Sequence, residues 1–223
     1  MHVAIDTVSK MDSRKMPTII YPSSFNTLYG HPPGSRYDAN MLPNPSSVYG
    51  WTKAAAEMLC MTYHRAHGVP CIVTRVGSGY GARMRSDELP ARLILNILKG
   101  RNTFLRSPEA KRLWTYGEDI IDFYEKLVGD TKRYIGQTLH CAGNADNNIV
   151  TNMQLARLVA DIGGVKDAVI IPGPYEAGEL LDGRPVSFEI EGHSDLWQPR
   201  FTLKEGMTRT LGWFRENLSR YGG

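Results

Sequence analysis

The residues best suited to chemistry are Tyr49 and Lys53, which lie four positions apart in a segment with helical periodicity. That spacing places both side chains on one side of a helix. An ammonium group favours the phenolate form of a nearby phenol, so the pair could take a proton from an alcohol while a hydride leaves its carbon. An ordinary tyrosine–lysine pair on a helix surface has the same spacing. The pair alone therefore does not distinguish a catalytic pair from a surface pair without a catalytic role.

A serine hydroxyl could bond the same substrate oxygen as Tyr49. Ser23 and Ser24 follow the apolar run Pro17–Tyr21, which is predicted to be a buried strand that stops at Pro22. Ligands of α/β sheets bind at the carboxyl ends of strands. Ser24, 25 residues before Tyr49, is therefore the candidate hydroxyl, with Ser23 as its alternative.

The elements that must position these residues follow from periodicity and from glycine and proline. A helix is predicted from Ser47 to about Gly68, where a Gly-Val-Pro sequence stops it. Strands that alternate with helices indicate an α/β fold with a mostly parallel sheet. The other predicted helices cover residues 89–100, 119–128, 151–162 and 203–218, and the other predicted strands cover residues 71–76, 138–141 and 168–171.

The composition fits one large or two small globular domains. The chain has 223 residues, 42% of them hydrophobic, and a net charge of +3, which is too small to indicate a nucleic-acid or membrane partner. It contains no apolar run near the ~20 residues of a spanning helix, and its first residues do not resemble a signal peptide.

The cysteines and histidines do not indicate a metal site or a disulfide framework. The three cysteines, Cys60, Cys71 and Cys141, are predicted to be buried thiols of a cytoplasmic protein. His64 and His67 are predicted to be helix-surface residues and not metal ligands.

Several segments, taken in order along the chain, resemble the extended short-chain dehydrogenase/reductase family. This is the NAD-dependent nucleotide-sugar epimerase/dehydratase group, to which UDP-galactose 4-epimerase belongs. The order of the segments is more specific than any one motif. They are Ser23-Ser24 with Tyr29-Gly30, Asn44–Ala54, Thr74–Gly81, Arg112 with Asp119, Asn148–Ala156, Gln198–Phe201 and Leu203–Asn217.

The resemblance implies a role for each matched residue of the candidate site. Tyr49 would be the catalytic acid/base, and Lys53 would hold the ribose of NAD or NADP, so that both residues would take part in cofactor binding. Ser24 would bond the reacting sugar oxygen. Counting back from Tyr29-Gly30 places Phe25 at that position instead, but phenylalanine cannot donate a hydrogen bond. Ser23 stays the alternative.

Other matched positions are implied to bind the nucleotide-sugar substrate. Arg112 and Arg184 stand where the family grips the diphosphate, and an arginine fork suits paired phosphate oxygens. Ser78 stands where many members have asparagine. The resemblance also implies two parts: residues 1–76 as the C-terminal half of a Rossmann-like domain with the Ser/Tyr/Lys site, and residues 77–223 as a mainly substrate-binding α/β part, with segments that return to the sheet.

The sequence departs from the family in one main respect. It contains no Gly-x-x-Gly-x-x-Gly turn, whose backbone amides would bind the cofactor pyrophosphate. On the resemblance, the chain starts just before the family's fifth strand, so cofactor binding would need a homodimer or a partner that supplies the rest.

The resemblance leaves two functions open. Phe25-Asn26 stands where dehydratases usually have two carboxylates, which favours a nucleotide-sugar epimerase or ketoreductase over a dehydratase. The alternative is a non-catalytic sugar-nucleotide-binding or scaffold subunit that pairs with a complete relative.

Overall fold

A computed structural model describes residues 1–32, 35, 37–143, 148–165, 168–174 and 195–221. The α-helices are α1 (His2–Ser9), α2 (Val48–His67), α3 (Leu89–Leu98), α4 (Gly117–Gly129), α5 (Thr131–Tyr134), α6 (Asn152–Gly163) and α7 (Leu203–Glu216). The strands are β1 (Ile19–Ser24), β2 (Cys71–Val76), β3 (Ser78–Tyr80), β4 (Thr103–Leu105), β5 (Lys111–Tyr116), β6 (Thr138–Cys141), β7 (Ile149–Thr151) and β8 (Ile170–Pro172). Short 3-10 helices cover Ser13–Lys15, Phe25–Thr27 and Leu218–Tyr221.

The chain divides into two compact units. The first contains the described residues of Met1–Gly77, Ile120–Ala142 and Val186–Gln198. The second contains those of Ser78–Asp119, Gly143–Pro185 and Pro199–Gly223. Strands and helices alternate along both, so the predicted α/β fold is confirmed.

The first unit is built on a parallel sheet with the strand order β1-β2-β6. Side chains alternate across it, so Ile19 and Tyr21 pack with Cys60 and Cys71, while Ile20 packs with the opposite cluster around Phe123. The central strand β2 is buried throughout most of its length. The three cysteines of the chain are all free and buried, as the sequence predicted.

Strand β1 extends beyond its predicted end. It continues through Pro22 to Ser24, which pairs in register with Val76. Proline lacks an N–H and usually ends a strand, but within the described residues β1 lies at the edge of its sheet, where one missing donor is tolerated. Both serines therefore belong to the strand itself and not to a loop that follows it.

Helix α2 has the predicted boundaries. The Ser47 hydroxyl accepts a hydrogen bond from the Gly50 N–H at 3.0 Å and caps the first turn. Gly68 ends the helix with φ of +66°, a conformation that glycine adopts without steric cost, and its N–H donates to the His64 carbonyl.

Within the described residues, no helix is both long and apolar enough to cross a membrane.

The second unit has its own core. Strand β5 pairs in parallel with β3 and antiparallel with β7, and β4 pairs in parallel with β8. The apolar faces of α3, α6 and α7 enclose a cluster that includes Trp114 and Phe214. Thr151 and Thr202 each begin a helix with a capping box. The antiparallel pair β5–β7 was not predicted, and the predicted strand at 168–171 is observed as Ile170–Pro172.

Candidate active site

Lys53 lies beside the carboxyl end of β1. Its Nζ donates a hydrogen bond of 2.9 Å to the carbonyl oxygen of Pro22, two residues before Ser24. Tyr49 stands one turn earlier on α2, and its ring centroid is 5.9 Å from the Lys53 Nζ. The Tyr49 side chain is 54% exposed, so its phenol is accessible to a bound molecule. The fold therefore brings the predicted pair to the strand end where the candidate serines lie.

Ser24 is buried and its oxygen accepts two hydrogen bonds. The donors are the backbone N–H of Asn26, at 3.2 Å, and the Asn26 Nδ2, at 3.1 Å. A hydroxyl has one proton and two lone pairs, so the proton is the group that Ser24 can offer to a bound oxygen. Sequence reasoning gave Asn26 no such role, because contact between residues two apart depends on the local turn.

The two alternatives to Ser24 have different environments. Ser23 is 5% exposed, and its Oγ has no hydrogen-bond partner within the described residues. Strand alternation places it on the opposite face of the sheet from Ser24. Phe25 is buried, with its ring 4.7 Å from that of His140, and so has a packing role.

The first turn of α2 fits closely against the turn after β1. A Cβ atom on Gly50 would lie 2.3 Å from the Asn26 carbonyl oxygen, a distance that only glycine permits without movement. The loop between these elements is closed at its base by Asn44. Its N–H donates to the Thr27 carbonyl at 2.8 Å, and its carbonyl accepts from the Gly30 N–H at 2.6 Å. These contacts fix Tyr49 relative to the end of β1.

Glu57 continues the stripe of Tyr49 and Lys53, one turn further along α2. Its carboxylate pairs with the Arg75 guanidinium of β2, with an Nη2–Oε2 distance of 2.9 Å and both Nε–Oε distances at 3.2 Å. The side chains are only 3% and 4% exposed. Lys53 thus ties α2 to β1, and Glu57 ties it to β2. The spacing of four from Lys53 was the signal in the sequence that could have drawn attention to Glu57.

The remaining predicted residues do not belong to the first unit as the structure describes it. Ser78 begins β3 and Arg112 lies in β5, both within the second unit. Arg112 is half-buried and its strand neighbour is Val150. Arg184 falls outside the described residues. Substrate binding by these three residues stays a prediction.

The sequence model of the NAD dependent epimerase/dehydratase family matches residues 2–137, and the chain belongs to this family. One relative is a dTDP-glucose 4,6-dehydratase of Haemophilus influenzae, 26% identical over 189 residues, or 79% of this chain and 54% of the relative. Another is the dTDP-glucose 4,6-dehydratase of Streptomyces antibioticus, 28% identical over 78% of this chain and 50% of its own length. The chain therefore spans about half the length of these relatives.

Solved structures show the same fold. A dTDP-glucose 4,6-dehydratase from Bacillus anthracis, in complex with NAD, superimposes with a TM-score of 0.82 at 21% identity, over 98% of this chain and 67% of that one. A UDP-glucuronic acid 4-epimerase from Bacillus cereus, in complex with UDP-glucuronic acid and NAD, gives a TM-score of 0.80 at 23% identity, over 96% of this chain and 65% of that one. The Rossmann-like α/β architecture predicted from the sequence is thereby confirmed.

Proposed function

We propose that this chain carries the proton-transfer centre of a nucleotide-sugar epimerase or ketoreductase that uses NAD or NADP. The observation that carries the proposal is the hydrogen bond from the Lys53 Nζ to the Pro22 carbonyl. It holds the ammonium group against the backbone of β1, two residues before the buried Ser24, with the centroid of the exposed Tyr49 ring 5.9 Å away. We infer that the three groups serve one bound molecule, because Ser24 ends a parallel strand and ligands of α/β folds bind at such strand ends.

Each residue has a distinct task in this proposal. Tyr49 takes the proton of a sugar hydroxyl, or returns it to the oxygen of a ketone. Ser24 donates a hydrogen bond to the same oxygen, because Asn26 already occupies the lone pairs of the Ser24 hydroxyl. An ammonium has three N–H donors and Pro22 takes one, so Lys53 can also bond the ribose of the dinucleotide. The bound dinucleotide would accept or supply the hydride.

The residues after Ser24 favour epimerisation or reduction over dehydration. Elimination of water requires an acid that protonates the leaving hydroxyl, and carboxyl groups usually supply that proton. Phe25 is buried in the core, and the Asn26 amide carries no acidic proton. The relatives include dehydratases, but this chain lacks a carboxylate at these two positions.

A second candidate function is a sugar-nucleotide-binding or scaffold subunit that pairs with a complete relative. In such a subunit, Ser24, Tyr49 and Lys53 would bind the sugar nucleotide without transferring a hydride. The two functions differ in whether the chain binds a dinucleotide.

Calorimetric titration separates the two functions. We expect the chain to bind NAD or NADP, and Lys53→Met to weaken that binding roughly 10- to 150-fold, the value of a hydrogen bond to a charged group. Lys126→Met, which removes a half-exposed ammonium from α4, is the matched control and should leave affinity unchanged. A separate titration uses UDP-glucose and dTDP-glucose. Sugar-nucleotide binding alone would favour the scaffold function, and binding of neither ligand would contradict both.

We also propose that the chain forms a homodimer through α2. Val48, Trp51 and Met58 share one face of this helix and are 82%, 64% and 61% exposed. An apolar patch of this kind marks an interaction surface. Sedimentation equilibrium should show a dimer, and Trp51→Glu should weaken it at least ~30-fold, as expected for an interface hot spot. Ile121→Glu, which alters an equally exposed residue of α4, should leave the dimer intact. A monomeric wild-type chain, or a dimeric Trp51→Glu variant, would contradict the proposal.

A further inference from the structure

The Lys53 ammonium has a second aromatic neighbour. The Tyr21 ring centroid is 5.4 Å from Nζ, closer than that of Tyr49 at 5.9 Å. Both distances lie within the ~6 Å at which a cation is attracted to the face of an aromatic ring. Tyr21 belongs to β1 and reaches Lys53 from the sheet, whereas Tyr49 reaches it along α2.

The Tyr21 ring is held in place by packing. It lies on the side of the sheet where Cys60, Cys71 and Val73 form a buried cluster, and it packs against that cluster. Its χ angles are therefore restricted, while the four-carbon stem of a lysine is flexible. A fixed ring beside a mobile ammonium reduces the positions that the ammonium can occupy.

Tyr21 does not duplicate the chemistry of Tyr49. Burial, followed by the charges of Cys60, Glu57 and Tyr49, raises the pKa of Tyr21 to about 12. Its phenol therefore stays protonated and neutral near pH 7. A neutral ring attracts the ammonium through its face and leaves proton transfer to the exposed phenol.

We propose that Tyr21 is a positioning residue, whose ring holds the Lys53 ammonium against the Pro22 carbonyl. The hydrogen bond to Pro22 fixes one direction of the ammonium, and the Tyr21 ring fixes its lateral position. This arrangement leaves two N–H donors for a ligand. The consequence for dinucleotide binding rests on the proposed function, but the placement of Lys53 does not.

The test measures the reactivity of Lys53 without any cofactor. The chain is treated with N-acetoxysuccinimide, and acetylation at Lys53 is followed by peptide mass spectrometry, with Lys10 and Lys126 as reference sites. Tyr21→Leu removes the cation–π contact. The acetylation rate of Lys53 should therefore rise about two- to five-fold in this variant. Tyr21→Phe keeps the ring and should match the wild type. The reference lysines should not change.

Two outcomes would overturn the inference: an unchanged Lys53 rate in Tyr21→Leu, or an equal increase in Tyr21→Phe, which would assign the effect to the hydroxyl. If circular dichroism shows that Tyr21→Leu is unfolded, Tyr21→Met provides the same comparison with a flexible apolar side chain. Calorimetry with NAD is run on the same variants. Ring-dependent acetylation without NAD binding would overturn only the proposed function, and NAD binding with ring-independent acetylation would overturn only this inference.

Discussion

Replacement of Tyr49 by phenylalanine is expected to lower kcat by about 10²- to 10⁴-fold, the contribution of a positioned general acid or base. The substitution removes only the hydroxyl, and the ring remains available to Lys53. Since the side chain is 54% exposed, the free energy of unfolding should stay within about 0.5 kcal/mol of the wild-type value. Turnover is measured by NMR on UDP-glucose and dTDP-glucose with NAD present, and on the corresponding 4-keto sugars with NADH.

Tyr63→Phe is the matched control for this experiment. Tyr63 lies on the same helix, and its hydroxyl is 3.3 Å from the His2 Nε2, at the end remote from the start of α2. The substitution removes the same hydroxyl group from the same helix. It should leave kcat within twofold, because Tyr63 lies at the far end of α2 from Tyr49. If turnover by Tyr49→Phe equals that of the wild-type chain, Tyr49 is not the acid/base. A wild-type chain that converts none of these sugars would contradict the enzymatic proposal.

The largest expected effect on stability comes from Glu57→Gln. The amide cannot neutralise the Arg75 guanidinium, which is 3% exposed and lies too deep for water to solvate. Breaking a buried ion pair on one side costs about 3–5 kcal/mol, because an uncompensated charge stays buried. Urea unfolding, followed by circular dichroism, should show a loss of this size. Since Glu57 fixes α2 to β2, the reactivity of Lys53 toward N-acetoxysuccinimide should rise as well.

Two further variants show whether the cost arises from the unpaired charge. The double variant Glu57→Met/Arg75→Met removes both charges and should recover most of the lost stability. Asp87→Asn is the control, because it breaks an ion pair with Arg85 in which the two side chains are 69% and 75% exposed. It should lower the free energy of unfolding by less than about 1 kcal/mol. A Glu57→Gln variant as stable as the Asp87→Asn variant would show that the Glu57–Arg75 pair contributes little to stability.

Elements with strong local signals were predicted well from the sequence. The boundaries of α2 follow from the Ser47 cap and from Gly68, both of which act on adjacent backbone groups. Strand β2 and the Thr151 cap of α6 are confirmed for the same reason. The spacing of Tyr49 and Lys53 on a helix likewise required no tertiary information. Their catalytic roles stay predictions.

Features that depend on distant segments were missed. Within the described residues β1 lies at the edge of its sheet, where a proline is tolerated, and the local sequence does not specify that position. The antiparallel pairing of Arg112 with Val150 joins residues 38 positions apart, and no local pattern specifies it. The partnership of Glu57 with Arg75 depends on how α2 lies across the sheet, which residue spacing within one helix does not determine.

The closure of the loop by Asn44 has an evolutionary consequence. The Asn44 backbone joins Thr27 and Gly30, so the two ends of the loop between β1 and α2 are held together beside the site. The entropy of closing such a loop rises only slowly, by about 0.6 kcal/mol for each doubling of its length. Changes in the length of this loop therefore cost little free energy as long as the Asn44 contacts are kept. If the chain has the proposed function, the loop is a place where selectivity for different sugars can diverge while the residues of the candidate site are kept.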